Sequence, residues 1–208
     1  MFTQTVLPET LELLNKLMKV ELLKDMRLVG GTALALQIGH RFSVDLDIFG
    51  KKNYTNKELQ EQLQTLEKGK ELRHGNKEII TSCYINDIKV DIVDYQYPWL
   101  DEAIIEYGVR MATLKDIAAM KISAIGSRGA KKDFYDLYFL LDKYTIYEIL
   151  GFFREKYAIK DIIHFVQSLT YFDDADKTEQ PKMFQKLPWK DVKKRIEKEI
   201  QNLDFNKL

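Results

Sequence analysis

A single cysteine, Cys83, stands in a chain of 208 residues, which excludes an intrachain disulfide and any zinc site built from several thiolates. Its alternating apolar neighbours predict a packed position on a strand. Histidine is equally sparse: His40, His74 and His164 are scattered and show no metal-ligand spacing. Net charge is absent, because 32 basic and 32 acidic residues cancel, so no global positive field draws in nucleic acid. Any such contact must come from a local patch. No serine lies in a nucleophile-elbow context, and no GxxxxGK[ST] string occurs. No apolar run is long enough to span a bilayer and no signal-peptide pattern opens the chain, so a soluble, cytoplasmic protein is expected. Against these absences, 45% hydrophobic and 31% charged residues make an ordinary globular balance with material for a core.

Hydrophobic periodicity divides the chain into a mixed first part and a helical second part. Leu11, Leu14, Leu17 and Met18 recur at helical spacing and predict a helix over 8–24, with Pro8 in its first turn. A short apolar run ends in Gly30-Gly31, and Thr32 starts helix-forming material that stops near Gly39. From Phe42 to Phe49 the alternation is strict, with Val44, Leu46 and Ile48 on one face and Ser43, Asp45 and Asp47 on the other. A polar surface helix is expected over 53–70. A hairpin follows, 79–85 and 88–95, with Asn86-Asp87 as its turn. Beyond Pro98 nearly everything reads as helix. Thr113 and Asp116 resemble a capping box opening a helix to about Gly126, and Phe134, Leu137, Tyr138 and Leu141 form an apolar stripe on the next. Two further helices are expected, over about 146–156 and 159–169. A last one begins at Pro188 and carries Val192, Ile196, Ile200 and Leu203. This order predicts an α+β fold: a small mixed β-sheet core over 1–110, followed by a mostly helical half over 111–208.

The candidate chemistry lies on the strands. Residues two apart share a strand face, so Asp45 and Asp47 project together, their Cβ atoms roughly 7 Å apart. Carboxylates that close resist ionisation unless a cation sits between them, and Mg²⁺ favours one or two carboxylates plus phosphate oxygens. A solvated polar strand face would give the same pattern. Gly30-Gly31-Thr32 stands at a strand-to-helix junction, where backbone N–H groups can meet a phosphate, or where a tight turn simply needs glycine. A third carboxylate, Asp91, lies among apolar neighbours on the second hairpin strand, with Asp94 on the opposite parity. From Arg110 to Lys132 the bases are Arg110, Lys115, Lys121, Arg128, Lys131 and Lys132. They form either a positive patch for a triphosphate or RNA backbone or a solvated helix face. The aromatics Tyr144, Tyr147, Phe152, Phe153 and Tyr157 are expected to pack a helical core rather than stack bases. The run Asp173-Asp174-Asp176 is expected to be a solvated turn or helix cap.

The set GG…DLD…VDI resembles the glycine, paired-acid and third-acid motifs of the DNA-polymerase-β-like nucleotidyltransferases. The stretch KDIAAMKISAIGSRGAKKDFYDLYFLL is similar to the third and fourth motifs of the AbiEii/AbiGii toxin-type members, with Lys121, Arg128, Lys132-Asp133 and Asp136 at the motif positions. SLTYFDDAD and PWKDVKKRI extend the likeness over nearly the whole chain. Lys132 stands where an arginine is frequent, which weakens the expectation of bidentate phosphate binding there. The resemblance implies a two-metal nucleotidyl transfer that uses a nucleoside triphosphate and Mg²⁺. Asp45, Asp47 and Asp91 would hold metal, and Gly30, Gly31 and Thr32 would cradle the triphosphate. Lys121, Arg128 and Lys132 would neutralise its charge, with the helical half walling the cleft. Asp133 and Asp136 either orient Arg128 or Lys121 by ion pairing or stand as surface acids. It also implies an RNA acceptor such as a tRNA end and a cognate antitoxin partner. A small-molecule or protein acceptor, or a catalytically weak nucleotide-binding regulatory module, is the alternative.

Overall fold

Proline fits the first turn of a helix, and Pro8 opens α1 (Pro8–Leu17), whose Leu13, Leu14 and Leu17 are buried. The computed structural model describes residues 1–66, 75–77 and 79–205. It divides into two units. Met1–Gly39, Ser43–Gln96 and Ala103–Ala112 form the first; His40–Phe42, Tyr97–Glu102 and Thr113–Leu208 form the second. Helix α1 ends earlier than its apolar spacing predicts, because Val20 is extended and Glu21–Leu23 turn as a short 3-10 segment.

The first unit is organised by a seven-stranded mixed sheet. Its strands in chain order are β1 (Arg27–Leu28), β2 (Leu46–Gly50), β3 (Gly75–Lys77), β4 (Ile80–Ile85), β5 (Ile88–Asp94), β6 (Ile104–Glu106) and β7 (Val109–Met111), and in space they run β3-β4-β5-β2-β1-β7-β6. The pairs β2–β5 and β1–β7 are parallel and the rest antiparallel. Between β1 and β2 lies α2 (Gly30–Ile38), packed against β2; Ala33, Leu34, Ala35 and Leu36 are all fully buried, as expected of a helix that is apolar on every side. The exposed helix α3 (Asn56–Leu66) buries only Leu59 and Leu63. Residues 67–70, expected to continue it, lie outside the described residues, as does His74.

The hairpin turn falls where expected. Asn86 and Asp87 both take positive φ (50° and 61°), the backbone of a two-residue turn matched to strand twist. Two expectations are corrected. The stretch after Pro98 is not all helix, because β6 and β7 form a second hairpin through Tyr107 and Gly108, both at positive φ. Each of these strands spans three residues, too few for alternation to register. The strand expected from Phe42 begins only at Leu46. Phe42 belongs to the second unit, where its N–H donates to the Lys182 carbonyl, and Val44, expected in the core, is 57% exposed.

The second unit holds α4 (Leu114–Arg128), α5 (Lys131–Leu140), α6 (Ile146–Tyr157), α7 (Ile163–Ser168), α8 (Asp173–Asp176) and α9 (Trp189–Gln201). Thr113 caps α4 by accepting the Asp116 N–H, and Thr145 with Glu148 closes a full capping box on α6. Helix α4 packs on α5, α6 and α7, and α5 on α8 and α9. Inside this unit Lys156 and Asp116 are fully buried and paired at 2.6 Å. The Lys156 ammonium also donates to the Pro98 carbonyl and lies 4.5 Å from the Trp99 ring centre. The Leu100 N–H donates to the same Asp116 carboxylate, so this pair ties the segment Tyr97–Glu102 to the helices. Among the described residues no helix is long and apolar enough to cross a membrane.

Candidate active site

Parallel pairing of β2 with β5 sets Asp47 directly opposite Asp91. Their chain neighbours Leu46, Ile48, Val90 and Ile92 are buried, so alternation forces both aspartates onto the other, partly open face. Asp45 lies just before β2, also partly exposed, and two hydrogen-bonding links hold it in place. The buried Thr32 hydroxyl bonds the Ser43 hydroxyl at 2.8 Å and donates to the Asp45 carbonyl. Thr32 is therefore committed to positioning the approach to β2.

Helix α2 begins beside the second acid. Gly30 has φ +67°, and a Cβ there would stand 2.5 Å from Asp47 Oδ2. The Val29 N–H donates to the Asp47 carbonyl at 2.8 Å, which fixes the strand against the turn. A helix start carries unpaired N–H groups and partial positive charge, and the Asp47 carboxylate stands beside it.

Asp91 is unevenly served. Its Oδ2 accepts from the Lys89 ammonium at 2.6 Å, whereas Oδ1 is buried with no hydrogen-bond partner. A buried carboxylate oxygen left unpaired is costly, and a hard cation would satisfy it. The unpaired Asp91 Oδ1 and the partly exposed Asp47 carboxylate opposite it are oxygen donors of the kind Mg²⁺ takes. Among the described residues no group of three such side chains is placed to hold a metal ion by itself. Asp94, on the opposite parity, accepts from the Lys52 N–H and from Gln96 and shapes the following loop. Burial pushes the neighbouring Cys83 thiol up to about 11, with Asp91 adding to the shift, so it is an inert packing residue.

The motif residues of the second unit form a buried ionic cluster. Asp136, wholly buried on α5, accepts Arg41 Nε at 2.6 Å and Nη2 at 2.9 Å, His40 Nε2 at 2.7 Å and Lys121 Nζ at 2.5 Å. Lys121 also donates to Asp133 at 2.8 Å, and Arg128 makes a two-pronged contact with that carboxylate at 2.9 and 3.0 Å. Burial alone would raise the Asp136 carboxyl; Arg41 and Lys121 more than offset it and hold it well below the usual range. The Lys121 ammonium is raised in the same way, its burial outweighed by Asp136 and Asp133. Asp133 and Asp136 are therefore ion-pairing residues and not surface acids. The basic stretch is also not one patch. Arg110 belongs to the first unit and donates to the Met18, Leu23 and Met26 carbonyls, while Lys115 pairs with Asp101 and Lys131 donates to Thr178.

Across residues 12–208 the chain matches the family model described as nucleotidyl transferase AbiEii toxin, type IV TA system. The chain belongs to the AbiEii nucleotidyltransferase family. An uncharacterised protein of Aquifex aeolicus is 37% identical over 173 residues, covering 80% of this chain and 83% of that one. In fold it is similar to JHP933 from Helicobacter pylori (TM-score 0.59, 19% identity, 94% of this chain and 92% of that one). It is also similar to MenT4, a nucleotidyltransferase toxin of Mycobacterium tuberculosis H37Rv (TM-score 0.50, 12% identity, 95% and 84%).

Nucleotidyl transfer is thus the reaction class of this AbiEii chain. Three residues with a place in its ionic or acidic clusters were not singled out by the sequence. His40 and Arg41 precede the Asp45 segment yet serve Asp136, and Lys89 looks like any polar residue of a half-buried strand. Only Lys89 left a trace, in sharing strand parity with Asp91.

Proposed function

We propose that the enzyme holds Mg²⁺ with Asp45, Asp47 and Asp91 and transfers a nucleoside monophosphate from a nucleoside triphosphate to an acceptor hydroxyl on RNA, at a tRNA end. The observation that carries this reading is the placement of Asp47 opposite Asp91 on parallel strands, with the Asp91 Oδ1 buried and unpartnered. When bound, the metal would supply charge neutralisation for the reacting phosphate and its leaving group. Asp47, set against the start of α2, would face that metal. Asp91 completes the metal-holding set and assists removal of the acceptor hydroxyl's proton as the hydroxyl oxygen bonds to the α-phosphorus and the bond to pyrophosphate breaks. The N–H groups of Gly30 and Gly31 at the head of α2 receive triphosphate oxygens, and Thr32 acts one step behind by fixing the Asp45 segment.

In the second unit we assign anion binding to Arg128, whose side chain is 57% exposed, and to Lys132 at the start of α5. Lys121 supports Arg128 through their shared partner Asp133. The AbiEii description supports toxin action with a cognate antitoxin as partner. The acceptor is read from the resemblance of the motifs to toxin-type members that modify tRNA.

Incubating the protein with each α-labelled nucleoside triphosphate, Mg²⁺ and total RNA tests this. Label in a tRNA-sized band that is lost with Asp47→Asn supports the reading. Label in protein or in small molecules moves the acceptor to those classes, and no label with any nucleotide leaves a regulatory nucleotide-binding module.

A further inference from the structure

The positive charge among the three acids of the first unit belongs to the chain itself. Lys89 and Asp91 are two apart on β5 and so share a face, and the ammonium lies 2.6 Å from Asp91 Oδ2. Asp47 stands opposite Asp91 on a parallel strand, and Asp45 lies just before that strand begins. One ammonium is thereby seated on the acid that faces Asp47.

We propose that Lys89 is a tethered counter-ion, seated on Asp91 in the absence of metal and displaced when a divalent cation binds, so that it sets how tightly the cation is held. This rests on Asp45, Asp47 and Asp91 being the metal-holding acids. The geometry requires an exchange. Asp91 Oδ2 is occupied by the ammonium, and a dication on the same carboxylate would face a like charge within a few ångströms. The exchange is also sterically open, because the Lys89 side chain is 39% exposed and a flexible four-carbon stem can swing into water. Without the lysine the acids would repel one another and Asp91 would lose its one hydrogen bond, so the metal-free protein gains stability from Lys89 and the metal-bound protein does not.

Calorimetric titration of the full chain with MnCl₂ tests this, using wild type, Asp47→Asn, Lys89→Met and Lys89→Arg. Wild type is expected to bind Mn²⁺ and Asp47→Asn to lose that binding. Lys89→Met should bind roughly tenfold more tightly, since both the competing ammonium and its repulsion are gone, and Lys89→Arg should stay within about twofold of wild type. In EDTA the Lys89→Met protein should melt below wild type, and saturating MnCl₂ should close the gap. Lys89→Gln serves the same comparisons should the methionine variant not fold. Unchanged or weaker Mn²⁺ affinity on removing the charge overturns the counter-ion proposal and leaves the metal site standing. Absence of Mn²⁺ binding in wild type removes both.

Discussion

Gly30 and Asp47 approach so closely that the glycine has no room for a side chain: a Cβ would stand 2.5 Å from the aspartate Oδ2, and Gly30 also has φ +67°. Gly30→Ala should therefore do two things at once. The left-handed backbone costs about 1–2 kcal/mol of stability for a residue with a Cβ. The methyl group also pushes the Asp47 carboxylate off its place at the start of α2. Chemical denaturation should show the modest loss, and nucleotidyl transfer should fall at least tenfold in protein that remains folded. Gly31→Val, one residue along the first turn, should raise the KM for the nucleoside triphosphate.

Thr32 makes a separate prediction. Its hydroxyl joins Ser43 and the Asp45 carbonyl and is wholly buried. Thr32→Val keeps the shape but leaves the Asp45 carbonyl without its donor and the Ser43 hydroxyl without its partner, at a cost of about 1–3 kcal/mol. With the Asp45 segment loosened, kcat should drop more than KM rises, and Thr32→Ser should restore both. A Thr32→Val enzyme with normal kcat would show that the tie is irrelevant to the site.

His40 predicts a pH dependence. Burial pushes its imidazole down, more strongly than the hydrogen bond to Asp136 raises it, with Arg41 and Lys121 lowering it further. A histidine depressed in the folded state stabilises above its unfolded value of about 6.5, and that contribution is lost as pH falls through the folded value. Denaturation between pH 7 and pH 5 should show stability declining, with a shallower decline in His40→Gln. Asp136, depressed far below the carboxylate range, keeps its contribution until strongly acidic pH.

Lys156 should be among the costliest single changes in the second unit. It and Asp116 are fully buried, and Lys156→Met strands the carboxylate with only the Leu100 N–H and the Thr113 hydroxyl. A loss of about 3–5 kcal/mol is expected in urea unfolding. Adding Asp116→Asn should recover part of it, because the uncompensated charge is then gone.

Local pattern was enough to place Asp47 and Asp91 on their strands, though not to show that Asp45 stands just outside β2. Period-two alternation put Asp47 and Asp91 on partly open faces, Asn86-Asp87 marked the hairpin, and Thr113 marked the start of α4. Each of these follows from interactions within a few residues, where spacing and turn chemistry leave few options. The family motifs in turn pointed to Lys121, Arg128, Asp133 and Asp136 as a set.

Packing decided the rest. Nothing near Asp136 in the chain announces that Arg41, 95 residues away, is its partner, or that Lys121 is enclosed between two carboxylates rather than left as an open cation. The basic stretch from Arg110 to Lys132 divided for the same reason, since Arg110, Lys115, Lys121, Arg128 and Lys131 each found a carboxylate or carbonyl that its own unit folded against it. Hydrophobic alternation depends on neighbours along the strand or helix, whereas a buried charge is settled by whichever opposite charge the tertiary fold brings within about 3 Å. That is why the strand faces of the acids could be read from residue order, while the partners of the charges became visible only in the folded chain.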